Sequence, residues 1–107
     1  MVISEDIKTI AETIRKAVPA EKIYLFGSYA YGTPHKDSDY DFYIIIPDGV
    51  MRPIEAMQKA QQAIYTLGIH MPVDVLANYK SEFEELKDLI TLERTINRRG
   101  VLLYDQS

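Results

Sequence analysis

The chain has 107 residues, 47% of them apolar and 26% charged, with no cysteine and a formal net charge of −4. This composition excludes a disordered or collagen-like chain, a disulfide framework, a zinc–thiolate site and a thiol nucleophile. The acidic balance weighs against a general nucleic-acid binder, which needs a basic footprint to displace counterions. Length alone predicts one domain over 1–107, with little room for a separate substrate domain. The longest apolar run, Phe42 to Ile46, is far below the roughly 18–20 residues that span a bilayer. Met1-Val2-Ile3-Ser4-Glu5-Asp6 brings acids early and no apolar core, so the expectation is a cytoplasmic protein without a signal peptide.

Ser4 is a good N-cap, Glu5 and Asp6 suit a first helical turn, and Pro19 stops the run. Between them Ile7, Ile10, Ala11, Ile14, Ala17 and Val18 recur at helical spacing, which predicts an amphipathic helix over 4–18. Lys22 to Phe26 is a short β-prone run broken by Gly27, and Ser28 to Tyr31 reads as one helical turn ended by Gly32. Residues 33–37 are loop chemistry, and Tyr40 to Ile46 is the strongest strand. Pro53 fits a helix start, with Ile54, Met57, Ile64 and Leu67 as its apolar stripe and Gly68 as its close. Met71 to Leu76 predicts a third strand. Ser81 with Glu84 reads as a capping box for a helix over roughly 81–98, with Phe83, Leu86, Ile90 and Ile96 as its stripe. Gly100 ends that helix, and Val101 to Tyr104 is a short final strand. The fold class expected is α/β (α+β), a small mixed sheet with helices packed against it.

Chemistry concentrates in Leu25-Phe26-Gly27-Ser28-Tyr29-Ala30-Tyr31-Gly32 and in Ser38-Asp39-Tyr40-Asp41-Phe42. Gly27 and Ser28 sit between a strand and a helical turn, where free backbone N–H groups attract anions and glycine permits close approach. Asp39 and Asp41 lie two apart at a strand start, so both carboxylates share a face while Tyr40, Phe42, Ile44 and Ile46 point the other way. Two bare carboxylates about 6 Å apart repel by roughly 2–3 kcal/mol at an effective dielectric near 20. That placement predicts a cation, and all-oxygen ligands select Mg²⁺ or Mn²⁺ over Zn²⁺. Asp74, set among the strand formers Met71 to Leu76, joins them if its strand lies beside Tyr40–Ile46. Three carboxylates beside a Gly-Ser turn are the equipment of two-metal phosphoryl or nucleotidyl transfer.

Gly-Ser, ten intervening residues, Asp-x-Asp and a later strand Asp together resemble the DNA polymerase β-like nucleotidyltransferase superfamily. The similarity is greatest to its minimal nucleotidyltransferases and runs from the leading helix to Ile96-Asn97-Arg98-Arg99-Gly100-Val101-Leu102-Leu103-Tyr104. The resemblance implies that Asp39 and Asp41 bind two Mg²⁺ ions gripping the triphosphate of ATP, and that Asp74 holds the metal activating an acceptor hydroxyl. It implies that Gly27 and Ser28 hold the β- and γ-phosphates, with in-line attack at the α-phosphorus and release of pyrophosphate. Many relatives carry Arg at the positions of Tyr29 or Tyr31, and Lys36 is the candidate substitute among nucleotide-binding residues. Minimal members are often paired with a HEPN-domain protein, which implies an antitoxin that transfers AMP to a tyrosine of its toxin partner, as a hetero-oligomer or as a homo-oligomer. A catalytically weak module that neutralises its partner by contact, or transfer to a small molecule, are the alternatives.

Blander roles stand beside these. Asp39 and Asp41 also suit a solubilising strand edge, Asp74 an exposed strand face, and Arg94, Arg98 and Arg99 a helix C-terminus. Five of the eight tyrosines fall between Tyr24 and Tyr43, where half-buried packing is favoured over base stacking or a role as AMP acceptor. His35 and His70 read as incidental polar residues.

Overall fold

Ser4 opens the first helix: its Oγ accepts the Ile7 N–H at 3.2 Å. The computed structural model describes residues 3–106; Met1, Val2 and Ser107, which belong to the expected domain and the signal-peptide reading, lie outside the described residues. In chain order the elements are α1 (Glu5–Ala17), β1 (Lys22–Phe26), α2 (Ser28–Tyr31), β2 (Tyr40–Ile46), α3 (Pro53–Tyr65), β3 (Val73–Tyr79), α4 (Lys80–Leu86), α5 (Leu92–Arg99) and β4 (Val101–Asp105). Among the described residues no helix is long and apolar enough to cross a membrane.

The strands form one mixed sheet in the order β3-β2-β1-β4. β1 runs antiparallel to both β2 and β4, whereas β2 and β3 run parallel and are joined through α3. This is the small mixed sheet with helices packed against it that the resemblance implied. The strand period of two sorts the side chains onto two faces. On one face Ile23, Leu25, Phe42, Ile44, Ile46 and Val75 pack against Ile7, Ile10 and Ile14 of α1 and Ala56, Ala60 and Ile64 of α3. On the other, Tyr24, Tyr43 and Ile45 pack against Phe83 of α4 and Ile96 of α5.

Four expectations from the sequence are corrected. The helix over 81–98 is two helices, because Thr91 acts as a fresh N-cap, accepting the Arg94 N–H at 3.1 Å and donating to the Leu86 carbonyl at 2.7 Å. Ile90, counted in its stripe, falls in the break and is 94% exposed. The Ser81–Glu84 capping box does not form: Tyr79 is the N-cap of α4, the Ser81 N–H and hydroxyl both donate to Asp48, and Glu84 pairs with Lys87. The third strand begins after Pro72, which has no N–H to give a ladder, and runs on to Tyr79. In α3 the inward positions are the small Ala56 and Ala60 with Ile64, while Ile54 is 47% exposed.

Candidate active site

Register brings the acids together. Phe26 pairs with Asp41 across β1–β2, and Asp41 pairs with Asp74 across β2–β3. Asp39 precedes β2 by one residue and falls on the face of Asp41, as the period of two predicts. One carboxylate oxygen from each of Asp39, Asp41 and Asp74 lies within 4.8 Å of the others, a spacing that could hold a metal ion. Among the described residues no lysine or arginine forms an ion pair with any of the three.

The electrostatic consequence is direct. The Asp41 carboxyl is pushed up to about 6, first by burial and then by the charges of Asp74 and Asp39. Asp74 stands at an exposed edge, yet its carboxyl is also raised, by desolvation and then by its hydrogen bond to Asp39 and that group's charge. A cation bound among these oxygens relieves the repulsion. The donor set holds no sulfur or imidazole, which fits a hard divalent ion such as Mg²⁺.

Gly27 is tied to this arrangement by two observations. Its φ is 75°, in the left-handed region, and a Cβ on it would fall on the Asp41 Oδ2 oxygen. The turn therefore touches the acids only because residue 27 lacks a side chain. The Gly27 carbonyl accepts the N–H groups of Ala30 and Tyr31, each at 3.0 Å, which folds α2 back immediately after the strand. Ser28 opens α2 half-buried.

The loop ahead of Asp39 is held by residues that sequence reasoning passed over. Ser38 is buried; its Oγ accepts the His35 N–H at 2.9 Å, and its own N–H returns to the His35 carbonyl at 2.9 Å. The His35 ring accepts the Asp37 N–H at 3.3 Å, so a residue read as incidental braces the turn. Tyr40 then donates its N–H to the Pro72 carbonyl at 3.0 Å, fixing Asp39 between two anchors. A serine immediately before Asp39 and two residues before the strand was the available signal. Lys36 stands exposed on this loop, and among the described residues no hydrogen bond or ion pair ties it to the acids or to Gly27–Ser28.

Tyr24, Tyr29, Tyr40 and Tyr43 each pack against another aromatic ring. Tyr29 meets Tyr40 edge-on with ring centroids 4.8 Å apart, and Tyr43 packs against Phe83 and Phe26. The Tyr43 hydroxyl donates to Glu93 Oε2 at 2.8 Å, tying α5 to the middle of β2. Burial, and then this bond, raise the Tyr43 hydroxyl above its ordinary pKa. The Arg99 guanidinium lies over the Tyr31 ring, 4.4 Å from its centroid.

The family model of the nucleotidyltransferase domain matches residues 7–99. The chain belongs to that family. No protein of curated function matches it. Among solved structures, this nucleotidyltransferase domain is similar to a candidate nucleotidyltransferase from Sulfolobus solfataricus, with TM-score 0.64 and 21% identity over 95% of this chain and 79% of that one. It is similar to a toxin–antitoxin structure with AMP-PNP, with TM-score 0.59 and 23% identity over 97% and 76%. It is also similar to a Tyr→Ala variant of the toxin–antitoxin pair MntA–HpeT, with TM-score 0.59 and 25% identity over 99% and 76%. These likenesses place its mixed sheet and flanking helices in the nucleotidyltransferase fold.

Proposed function

We propose that this nucleotidyltransferase domain transfers AMP from ATP, with Mg²⁺, to a hydroxyl on a protein partner, and acts as the antitoxin of a toxin–antitoxin pair. The observation that carries the chemistry is the convergence of three carboxylate oxygens within 4.8 Å beside a glycine–serine turn. When bound, the divalent cation supplies Lewis-acid charge for in-line displacement at the α-phosphorus. Asp39, Asp41 and Asp74 would hold the ion, whose charge would offset that of the triphosphate and lower the acceptor hydroxyl's pKa. Gly27 and Ser28 receive the β- and γ-phosphates. The acceptor oxygen bonds to the α-phosphorus as the bond to pyrophosphate breaks, and the acceptor proton passes to solvent.

Support for the protein acceptor comes from the toxin–antitoxin pairs that share the fold. A HEPN-domain toxin, modified on a tyrosine, is the partner and acceptor this reading names, and the cytoplasm its setting. Incubating the chain and its copurified partner with ATP and Mg²⁺, followed by intact-mass analysis, tests the reading. One or more AMP additions to the partner are expected with wild type and none with Asp39→Asn. If wild type and Asp39→Asn leave the partner's mass equally unchanged while both protect cells, contact-only neutralisation replaces transfer.

A further inference from the structure

The nucleotide reading leaves one charge unaccounted for. Its substrate is a polyanion, α2 carries no basic residue, and Lys36 is held against nothing at the turn. The cation that the fold does bring to this corner comes from the far end of the chain. Because β4 pairs antiparallel with β1, Leu25 lies opposite Val101. The ladder ends at that pair, where Gly100 caps α5 and Arg99 is the helix's last residue. Leu25 is in turn opposite Phe42, the residue after Asp41. Val101 and Phe42 are therefore two strand spacings apart, roughly 10 Å. That distance suits a side chain meeting the outer phosphates of a nucleotide whose α-phosphate lies at the acids.

The face is also correct. α5 packs through Ile96 on the sheet face of Tyr24 and Tyr43, the same face that carries Asp41. Gly100 lets the chain turn sharply from α5 into β4, since a Cβ there would come 2.5 Å from the Ile96 carbonyl oxygen. Arg99 is thus delivered at the turn, where its guanidinium rests over the Tyr31 ring at 4.4 Å. Stacking on an aromatic face leaves the guanidinium edge, with its forked N–H donors, free to bind phosphate oxygens.

Resting on the nucleotidyl-transfer reading, we infer that Arg99, shelved on Tyr31, binds the β- and γ-phosphates of the incoming nucleoside triphosphate. The cation of the nucleotide site then comes from the last turn of α5 rather than from α2 or the 33–38 loop. Arg98, the next residue back, carries the same charge but is not stacked on Tyr31, and serves as the comparison.

Calorimetric titration of the full chain with ATP and with AMP, both with Mg²⁺, tests the assignment. Arg99→Gln weakens ATP binding about tenfold and changes AMP binding less than twofold, and Arg99→Lys falls between Gln and wild type. Tyr31→Leu, which removes the shelf and keeps the arginine, weakens ATP binding several-fold. Arg98→Gln, with the same loss of charge, stays within twofold of wild type for both ligands. The inference is overturned if Arg99→Gln binds ATP within twofold of wild type, if AMP binding falls equally, or if Arg98→Gln matches Arg99→Gln. Wild type that binds no ATP overturns the nucleotidyl-transfer reading itself, and the inference with it.

Discussion

Replacing Asp41 with asparagine stabilises the metal-free protein while removing its activity. In the folded chain the Asp41 carboxyl is pushed from 3.8 to about 6, chiefly by burial and then by Asp74 and Asp39. At about 1.4 kcal/mol per pKa unit, a rise of roughly two units corresponds to at most about 3 kcal/mol. The carboxylate is only partly buried, and solvent screening reduces this to about 1–2 kcal/mol. The direction follows from linkage: the folded chain holds this proton more tightly than the unfolded one, so the ionised carboxylate costs stability above pH 6. That cost fades as pH falls through 6 towards 3.8 and is absent below.

Urea unfolding in EDTA at pH 7.5 measures the effect. Asp41→Asn exceeds wild type by about 1–2 kcal/mol, which corresponds to roughly 5–10 °C in Tm for a domain of this size. At pH 4 most of the difference disappears. Saturating Mg²⁺ at pH 7.5 raises the wild-type midpoint more than that of Asp41→Asn, because ligation stabilises only the state that binds it. A metal-free Asp41→Asn protein no more stable than wild type at pH 7.5 would refute the claim that burial, with Asp74 and Asp39, makes the ionised Asp41 carboxylate costly.

Three further outcomes test the fold around the site. Gly27→Ala combines a left-handed φ of 75° with a Cβ on the Asp41 oxygen, so it loses more than about 1 kcal/mol in urea and abolishes AMP transfer. Tyr43→Phe removes the donor to Glu93 and strands a half-buried carboxylate, costing about 1–3 kcal/mol by denaturant titration. Ile96→Ala empties a fully buried position under α5 and costs about 2–5 kcal/mol, measured the same way.

How far the sequence reveals the molecule depends on whether a feature is local. The N-cap at Ser4, the strand Tyr40–Ile46 and the glycine-bounded α2 were legible because each is written in neighbouring residues. The pair Asp39 and Asp41 was legible for the same reason, since a period of two needs no tertiary information. Asp74 required the pairing of β2 with β3, which the sequence raised only as a condition and the parallel register supplies. The Ser81 box failed because Asp48, 33 residues away, competes for the same donors. Arg99 was read as a helix-end cation because nothing between residues 31 and 99 announces that β4 returns beside β1.

The site is open because the two sheet faces are covered unequally. α1 and α3 bury one face along its length, whereas α4 and α5 reach the other mainly through Phe83 and Ile96. Along β2 that second cover thins towards the strand's start: Ile45 and Tyr43 are buried, while Asp41 and Asp39 are only partly so. Glu93, in the first turn of α5, accepts the Tyr43 hydroxyl and so fixes the start of that helix two residues along β2 from Asp41. An apolar residue at position 41 would extend the core and close this edge. The aspartates instead leave a charged gap at the ends of three strands, with Arg99 at its margin. The fold is weakest, in electrostatic terms, at the place where a nucleotide and its metal would complete it.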